Sequence, residues 1–277
     1  MTATGEGSMA APKVLEILLL FTVDAPRWRV ERIAAHMGVS TSTAYRCVAD
    51  LVRIGLLQPV SGGAYVLGPA FSEFDLRMRL SDPLMRAARP HMAQLRDVLG
   101  RESTTALARY YQDRVMFVHL DRARDVPNAP VRGQQISLFS PAAIARAMLF
   151  ALPDRVLRTL YQRHAADVAA QGLGDDAREF RAHIKALRER GWATADSAVV
   201  AGRVGIAAPV VCDGTVRGSM GVSLPGPLSD REIERFGAIV VQQANLVGAQ
   251  LHKDEPDVPR LLSRRPSTPE QIGSTLQ

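Results

Sequence analysis

Hydroxyl and guanidinium side chains are concentrated between positions 41 and 46 of this 277-residue chain. An arginine can donate two hydrogen bonds to a guanine base, and hydroxyl groups bond phosphates and base edges. At the start of a helix, such a cluster is typical of the segment that enters the major groove of DNA. These side chains therefore favour recognition of DNA by hydrogen bonds. The candidate residues are Thr41, Ser42, Thr43, Tyr45 and Arg46.

The apolar residues around this cluster predict two short helices joined by a tight turn. They recur at the spacing of one helix face before Gly38, and a second helical period begins after Ser40. Gly38 supplies the turn, and the Ser40 hydroxyl is placed to cap the second helix. The pattern favours a helix-turn-helix, although an ordinary amphipathic helical pair with a solvated outer face has the same periodicity. The apolar positions are Val30, Ile33, Ala34 and Met37, then Ala44, Val48, Leu51 and Val52.

A short hairpin is predicted directly after the second helix. Apolar runs at 56–60 and 64–67 flank a small, glycine-rich turn that lets backbone approach a duplex. A wing in this position commonly contacts phosphate, but a purely structural hairpin has the same pattern. The region around the two helices also lacks acidic residues between Glu31 and Asp50. The predicted DNA contacts outside the cluster are therefore Arg27, Arg29, Ser40, Arg53, Ser61, Gly62 and Gly63.

Composition limits the classes of protein to which the chain can belong. Its length and its 47% hydrophobic content are enough for about two domains with buried cores. It has no apolar run that spans a bilayer and no signal-peptide pattern, so we expect a cytoplasmic protein that does not bind membranes. Cys47 and Cys212 are far apart and without metal-ligating neighbours in sequence, which favours reduced, buried thiols over a disulfide or a metal site. No cofactor is expected.

Charge and motifs further limit the classes of function that the chain can have. The net charge of +6 suits a nucleic-acid partner, but the first 70 residues hold six basic and five acidic side chains and are nearly neutral. The sequence has no nucleophile elbow, no phosphate-binding loop and no metalloprotease motif, so we expect no catalytic residues and no enzyme. An enzyme carrying an N-terminal helix-turn-helix, or a ligand-independent DNA-binding or protein-interaction adaptor, stays as an alternative.

The chain divides into two predicted domains separated by a linker helix. A helix over residues 14–21 completes the first domain, 9–69, and residues 1–8 are expected to be disordered. The linker helix covers residues 70–83, and its stripe of Phe71, Phe74 and Met78 needs a partner. That partner is either a second copy of the helix or the wing of the same chain. The second domain covers residues 84–252, and the tail at 253–277 is expected to be disordered.

The second domain alternates helical and extended patterns, which predicts an antiparallel sheet with flanking helices. Its last two strands alternate large apolar residues with small ones. Pairing large with large requires an odd loop, so we predict a three-residue turn at Cys212, Asp213 and Gly214 with a bulge. Helices are expected at 84–99, 141–152, 177–190 and 229–251, and strands at 104–108, 115–120, 192–195, 204–212 and 216–224.

The register of this last hairpin gathers small residues on one face of the sheet. Space over a sheet, with a few hydroxyl groups, suits a pocket for a small ligand. A helix packed closely on the same face is the alternative. The predicted pocket residues are Gly205, Ala207, Ser219, Gly221 and Ser223.

Taken together, these motifs resemble the IclR (isocitrate lyase regulator) family of bacterial transcriptional regulators over about residues 10–250. In the first domain the match is Ser42-Thr43-Ala44-Tyr45-Arg46, the Leu-rich segment 51–57 and Tyr65-Val66-Leu67-Gly68. In the second domain it is Gly133, the helix at 140–149, the segment 206–210 and Ser223-Leu224-Pro225. The resemblance implies an α+β protein in which a winged helix-turn-helix is joined to a GAF/PAS-like α/β effector domain. It also implies a double-stranded DNA operator, repression or activation, a homodimer or dimer of dimers, and a small organic or aromatic acid as effector.

Departures from the family pattern cluster in the ligand half. The frequent Gly-Lys of the pocket helix is Ala145-Arg146 here, the acidic stretch before the hairpin is reduced to Asp196, and a common Cys is Gly205. Ala145, Asp196 and Ser223 join the predicted ligand contacts on the strength of the resemblance. The small residues predict a pocket that is enlarged or binds anions less tightly, so the effectors of relatives do not transfer to this chain.

Overall fold

A computed structural model describes residues 14–100, 102–122, 126, 129–196 and 201–254 of the chain. The expected disordered segment 1–8 lies outside these residues, as do residues 255–277 of the expected tail and the stretch 197–200. The described residues form two compact units, which divide between Ser81 and Asp82. In the described ranges, no helix combines the length and the apolar character that crossing a membrane requires.

The first unit is a helix-turn-helix followed by a hairpin and a further helix. Its elements are a 3-10 helix Ile17–Leu20, β1 Trp28–Arg29, α1 Val30–Met37, α2 Thr41–Arg53, β2 Leu57–Val60, β3 Ala64–Leu67 and α3 Ala70–Ser81. The strands form an antiparallel sheet in the order β1-β3-β2. The sequence does not predict β1, because two residues are too few to show an alternating pattern.

One face of α1 and one face of α2 form the core of this unit. Gly38 ends α1 with a φ of 63°, a conformation that costs glycine little. The Ser40 Oγ then accepts a hydrogen bond from the Thr43 N–H at 3.1 Å and caps α2, as predicted. Burial of the apolar face turns the polar face outward. The buried residues include Ile17, Val30, Ile33, Ala44, Val48, Leu51 and Leu57.

The second unit is built on one six-stranded antiparallel sheet. In chain order its elements are α4 Pro83–Leu99, β4 Thr104–Tyr111, β5 Arg114–Asp121, β6 Gln135–Ser137, α5 Ala143–Ala151, α6 Asp154–Ala170, α7 Ala177–Arg190, β7 Ala193–Asp196, β8 Arg203–Cys212, β9 Thr215–Pro225 and α8 Asp230–Asp254. The strand order is β6-β5-β4-β9-β8-β7. This order brings β4 beside β9, although more than a hundred positions separate them in the chain.

Two hydrophobic cores lie on opposite faces of this sheet. The large apolar residues of β8 and β9, such as Ile206 and Met220, face α4 and α8. The other face packs against α5, and α6 and α7 complete that core. The predicted α+β class, a winged helix-turn-helix followed by a helix-flanked antiparallel sheet, is confirmed.

Two elements of the second unit escaped the sequence prediction. Helix α6 buries Leu157, Leu160 and Val168, but the backbone at His164 is not helical, with a φ of −131°. That break interrupts the 3.6-residue period on which a helix prediction depends. Strand β6 has three residues and, like β1, is too short to show alternation.

The turn between β8 and β9 differs from the prediction of a three-residue loop. Cys212 pairs with Thr215, so the loop has two residues, Asp213 and Gly214, both with positive φ as a type I′ turn requires. The odd residue lies further along β9, where the register shifts between the pairs Val210–Gly218 and Val211–Val216. A bulge within β9 therefore supplies the extra residue that the prediction placed in the loop.

Candidate functional site

The leading turn of α2 presents polar side chains at the surface of the first unit. Thr41, Ser42 and Arg46 are exposed, and Tyr45 is 50% exposed. Ala44 and Val48 on the other side of the helix are buried in the core. The hydrogen-bonding cluster found in the sequence therefore lies on the outer face of α2.

Three hydroxyl groups near this turn are already engaged within the protein. Ser40 Oγ and Thr43 Oγ1 lie 2.9 Å apart and share a hydrogen bond beside the helix cap. The Tyr45 hydroxyl donates to Glu31 Oε1 on α1 at 3.1 Å. This hydrogen bond, together with the negative charge of Glu31, raises the pKa of Tyr45. Tyr45 is thus oriented by α1, and a carboxylate stands at the edge of the polar cluster.

The wing brings a second group of predicted residues together. Ser61, Gly62 and Gly63 are exposed in the turn between β2 and β3, and both glycines have positive φ, 78° and 69°. Arg29 on β1 pairs with Ala64, and its Nη2 lies 3.8 Å from where a Cβ at Gly62 would stand. An exposed guanidinium therefore accompanies the wing turn.

Two further predicted contacts lie apart from these groups. Arg27 is exposed two residues before Arg29. Arg53 ends α2 in an exposed ion pair with Asp50 at 3.1 Å. It is seven residues beyond Arg46, which corresponds to about 10 Å along the helix axis. Arg53 therefore stands well behind the leading turn.

A cavity of about 80 Å³ lies on the α5 face of the sheet in the second unit. Strands β4, β8 and β9, the start of α5, Phe117 and Pro130 surround it. The register explains its position, because Gly205 pairs with Ser223 and Ala207 with Gly221, which places the four on one face. The predicted residues that line it are Gly205, Ala207, Gly221 and Ser223.

The two glycines of this face have different surroundings. A Cβ at Gly205 would meet Ala143 Cβ at an ordinary 3.5 Å. A Cβ at Gly221 would stand 2.8 Å from both Ala207 Cβ and the Ile206 carbonyl oxygen. Gly221 is therefore required by close packing within the sheet, whereas Gly205 contributes open space.

Polar groups are gathered at one end of the cavity. Arg203 Nε donates to Ser223 Oγ at 3.0 Å, and Arg203 Nη2 donates to the carbonyls of Ser223 and Glu102, each at 2.6 Å. Burial lowers the pKa of Arg203. Thr104, the cross-strand neighbour of Ser223, is 4% exposed, and its Oγ1 has no hydrogen-bond partner among the described residues. A cation and two hydroxyls thus face an otherwise apolar space, the arrangement that orients a small amphipathic anion.

Three predicted ligand contacts lie away from this cavity. Asp196 pairs with Val204, so it is on the opposite face of the sheet, and it is exposed. Ser219 is fully buried, and its Oγ donates to the Ile144 carbonyl at 2.9 Å, which fastens β9 to α5. Ala145 is fully buried in the core.

Sequence reasoning missed Arg203 and Thr104, the residues that make one end of the cavity polar. The sequence could have indicated Thr104, because Thr104, Ala106 and Ala108 show the same alternation of small residues as the last hairpin. No sequence pattern indicated Arg203, because it lies just before the predicted strand 204–212. Only the pairing of β4, β8 and β9 brings the two side chains to Ser223.

Arg146 on α5 is a buried cation outside the cavity. It is 8% exposed, and Nη2 donates to the Gln171 carbonyl at 2.8 Å, while Nη1 has no partner in the described part of the chain. Burial lowers the pKa of Arg146 to about 10. The pKa of His183 on α7 is also lowered, first by burial and then by the charge of Arg146. The charge of Arg146 on α5 therefore acts on a residue of α7.

Two family profiles match the chain. The profile described as the IclR helix-turn-helix domain matches residues 10–61, and the profile described as bacterial transcriptional regulator IclR C-terminal matches residues 80–248. These ranges cover most of both units. No curated protein matches the chain significantly.

Solved structures of similar fold come from several bacteria. An IclR homolog from Microbacterium hydrocarbonoxydans, complexed with 4-hydroxybenzoate, has a TM-score of 0.67 and 21% identity, covering 88% of this chain and 99% of its own. A regulator from Alicyclobacillus acidocaldarius has a TM-score of 0.69 and 20% identity over 88% and 99% of the two chains. The IclR protein of Thermotoga maritima has a TM-score of 0.61 and 16% identity over 87% and 98%. At these identities the likeness concerns the fold.

Proposed function

Because the chain belongs to the IclR family of bacterial transcriptional regulators, we propose that α2 reads a double-stranded DNA operator and that a small organic acid in the cavity changes the affinity for it. The observation that carries the proposal is the exposed leading turn of α2, whose polar side chains stand on a winged helix-turn-helix. The regulator acts in the cytoplasm, where its DNA partner is, and catalyses no reaction.

The proposed DNA contacts divide into base reading and positioning. Arg46 reads a base, since it is exposed in the second turn of α2 and can form a bidentate pair with guanine. Thr41 and Ser42 bond phosphate or base edges at the helix start. Ser40 and Thr43 hold the cap, so the free N–H groups of the first turn can face a phosphate. At the wing, Arg29 and the backbone of 61–63 position the duplex.

The proposed effector is a small carboxylic acid with an apolar body. Its carboxylate would lie at Arg203, Ser223 and Thr104, and its apolar part near Phe117 and the start of α5. The 4-hydroxybenzoate bound by the Microbacterium hydrocarbonoxydans homolog supports this chemical class. The volume of about 80 Å³ is below the roughly 150 Å³ in which a protein cavity holds benzene, so an acid with one ring would have to extend beyond the cavity or widen it, and larger ring systems are disfavoured.

The proposed assembly is a homodimer, or a dimer of dimers, formed through α3. That helix exposes Phe71, Phe74 and Met78 on one face, an apolar surface that a second copy would cover, and Leu76 and Leu80 on the opposite side. A dimer would place two reading helices on two half-sites, and an effector that binds one spacing better than the other would shift the population.

The decisive experiment measures binding to DNA fragments that the protein selects from its source genome, by fluorescence anisotropy. The wild-type affinity should fall steeply with salt, because bound phosphates release counterions. Arg46→Ala should weaken binding by about 1–3 kcal/mol and relax specificity at one position. The matched control Arg235→Ala removes an exposed charge from α8 and should change binding by less than about 0.5 kcal/mol.

The outcomes separate the alternatives. An equal loss on all fragments would make Arg46 a phosphate contact. Failure to enrich any fragment, together with binding that ignores salt, would contradict the operator and favour a protein-interaction adaptor.

A further inference from the structure

A cysteine, an aspartate and a histidine from two distant parts of the chain converge at one end of the second unit. Cys212 and Asp213 lie at the turn between β8 and β9, and His252 lies near the end of α8. One donor atom from each lies within 4.8 Å of the other two. Sequence spacing does not predict this cluster, and neither DNA binding nor the cavity uses it.

The cluster is built by a close approach of α8 to β8. Gly248 lies over Val211, where a Cβ would stand 2.1 Å from the carbonyl oxygen, so the approach requires glycine. His252 follows four residues later on the same helix face and therefore lies over the turn that comes next in the hairpin. The turn is a tight two-residue one, which fixes the direction of Asp213. The convergence is thus held by packed backbone on both sides.

The donor atoms already stand close to the edges of a coordination tetrahedron. His252 Nδ1 is 2.9 Å from Asp213 Oδ1, and Cys212 Sγ is 3.6 Å from Asp213 Oδ2. A tetrahedral zinc ion with ordinary bond lengths holds its ligand atoms roughly 3.3–3.8 Å apart. The two distances involve different oxygens of Asp213, and all three donor atoms lie within 4.8 Å of one another, so side-chain rotations must bring them to a common centre.

We propose that Cys212, Asp213 and His252 bind a zinc ion, with water in the fourth position. Thiolate, carboxylate and imidazole are the ligand types that zinc takes, and sites with three protein ligands keep one position open. Cys212 is 2% exposed, whereas Asp213 and His252 face solvent, so the ion enters from the solvent side. On binding, the thiol proton leaves to solvent, and the imidazole binds through Nδ1 as the neutral tautomer that carries its proton on Nε2.

The charges around the cluster agree with an ionised carboxylate. His252 Nδ1 lies 2.9 Å from Asp213 Oδ1, and the positive charge of Arg217 lies near the same carboxylate. Arg217 also repels a cation, so the two negative ligands, the Cys212 thiolate and the Asp213 carboxylate, must outweigh it. Bound zinc would fasten the end of α8 to the hairpin turn, a link independent of the proposed effector.

Cobalt is the probe of choice, because a thiolate bound to Co²⁺ gives a charge-transfer absorption band. Full-length protein titrated with Co²⁺ near neutral pH should show this band, saturating at one metal per chain, and Zn²⁺ should abolish it by displacement. Cys212→Ser should remove the band, and His252→Ala should weaken Zn²⁺ binding by about 100-fold or more, since even outer-shell changes cost 10–100-fold. Cys47→Ser, which alters the other cysteine, is the matched control and should leave the band intact.

Thermal unfolding gives a second readout. Zn²⁺ in excess should raise the Tm of the wild type and of Cys47→Ser, but not that of His252→Ala, because only a bound metal stabilises the folded state. Because His252 is exposed, His252→Ala should fold, and it provides the test even if Cys212→Ser does not fold. Absence of the band in the wild type, or its persistence in Cys212→Ser, would overturn the site.

Discussion

At the scale of single residues, the contacts that a side chain makes within the protein determine whether its polar group is available to bind DNA or a ligand. At the start of α2, the hydroxyls of Ser40 and Thr43 are engaged at the helix cap, and the Tyr45 hydroxyl donates to Glu31. Arg46 is exposed, and no described residue pairs with its guanidinium. The same contrast holds in the cavity, where Ser223 bonds Arg203 but Thr104 has a buried hydroxyl without a described partner. An unsatisfied buried group is the natural place for a ligand to gain a hydrogen bond.

Thr104→Val tests that role with a side chain of the same shape. Removing the unpaired hydroxyl should raise the free energy of unfolding of the ligand-free protein by about 1 kcal/mol, because a buried unsatisfied polar group costs about 1–3 kcal/mol. It should also weaken the response to 4-hydroxybenzoate and similar monocarboxylates, measured as the change in DNA affinity and in Tm on adding the acid.

Thr105→Val is the matched control on the opposite face of β4. Thr105 is fully buried with an equally unpartnered Oγ1 in the described structure, but it does not line the cavity. It should gain similar stability and keep the full response. Equal responses in the two variants would remove Thr104 from the ligand site.

At the scale of elements, α5 joins the sheet to the outer helices. Its start lines the cavity, the Ile144 carbonyl accepts from Ser219 on β9, and Arg146 reaches the Gln171 carbonyl after α6. A buried cation in this position is costly, since among the described residues one neutral acceptor, the Gln171 carbonyl, offsets the loss of water. Its field extends to α7, where the pKa of His183 is lowered.

Arg146→Met should therefore change the titration of a residue on another helix. Burial is the larger cause of the lowered pKa of His183, so the pKa should rise in the variant but stay below its ordinary value, as followed by NMR of the ring protons. A histidine with a lowered pKa binds protons less well in the folded than in the unfolded state, so it costs stability as pH falls below its ordinary value. The variant should accordingly lose less stability in acid.

The exposed Arg181 on α7 provides the control for charge alone. Arg181→Met makes the same change in net charge and should leave the pKa of His183 in place. If His183 titrates identically in the wild type and in Arg146→Met, the two side chains are not coupled.

At the scale of the whole molecule, function is divided between two units with different charge. The first 70 residues are nearly neutral although the chain carries +6, so long-range attraction is a weak basis for choosing an operator. Under the proposed function, specificity then depends on few side chains and on the pairing of two reading helices in a dimer. The exposed apolar residues of α3 are where such pairing is proposed.

Met78→Glu places a charge on that apolar surface. If α3 pairs with a second copy, the dissociation constant of the dimer should rise by at least about tenfold, or about 1.4 kcal/mol, seen by sedimentation velocity. Affinity for a full operator should fall while binding to a half-site stays the same. Ser72→Glu adds the same charge on another side of α3 and should leave the dimer intact. A dimer unchanged by Met78→Glu would assign the pairing to another surface.

The sequence by itself determined what depends on neighbours along the chain. The turn at Gly38, the cap at Ser40 and the polar face of α2 follow from helical period, and the sorting of large and small residues onto the two faces of β8 and β9 follows from alternation along a local hairpin. Only the tertiary structure decided the polar end of the cavity, the orientation of Asp196 and the meeting of Cys212 with His252. The physical reason is that β4 joins β9 and α8 crosses β8 through packing between segments far apart in the chain, and local periodicity carries no information about such contacts.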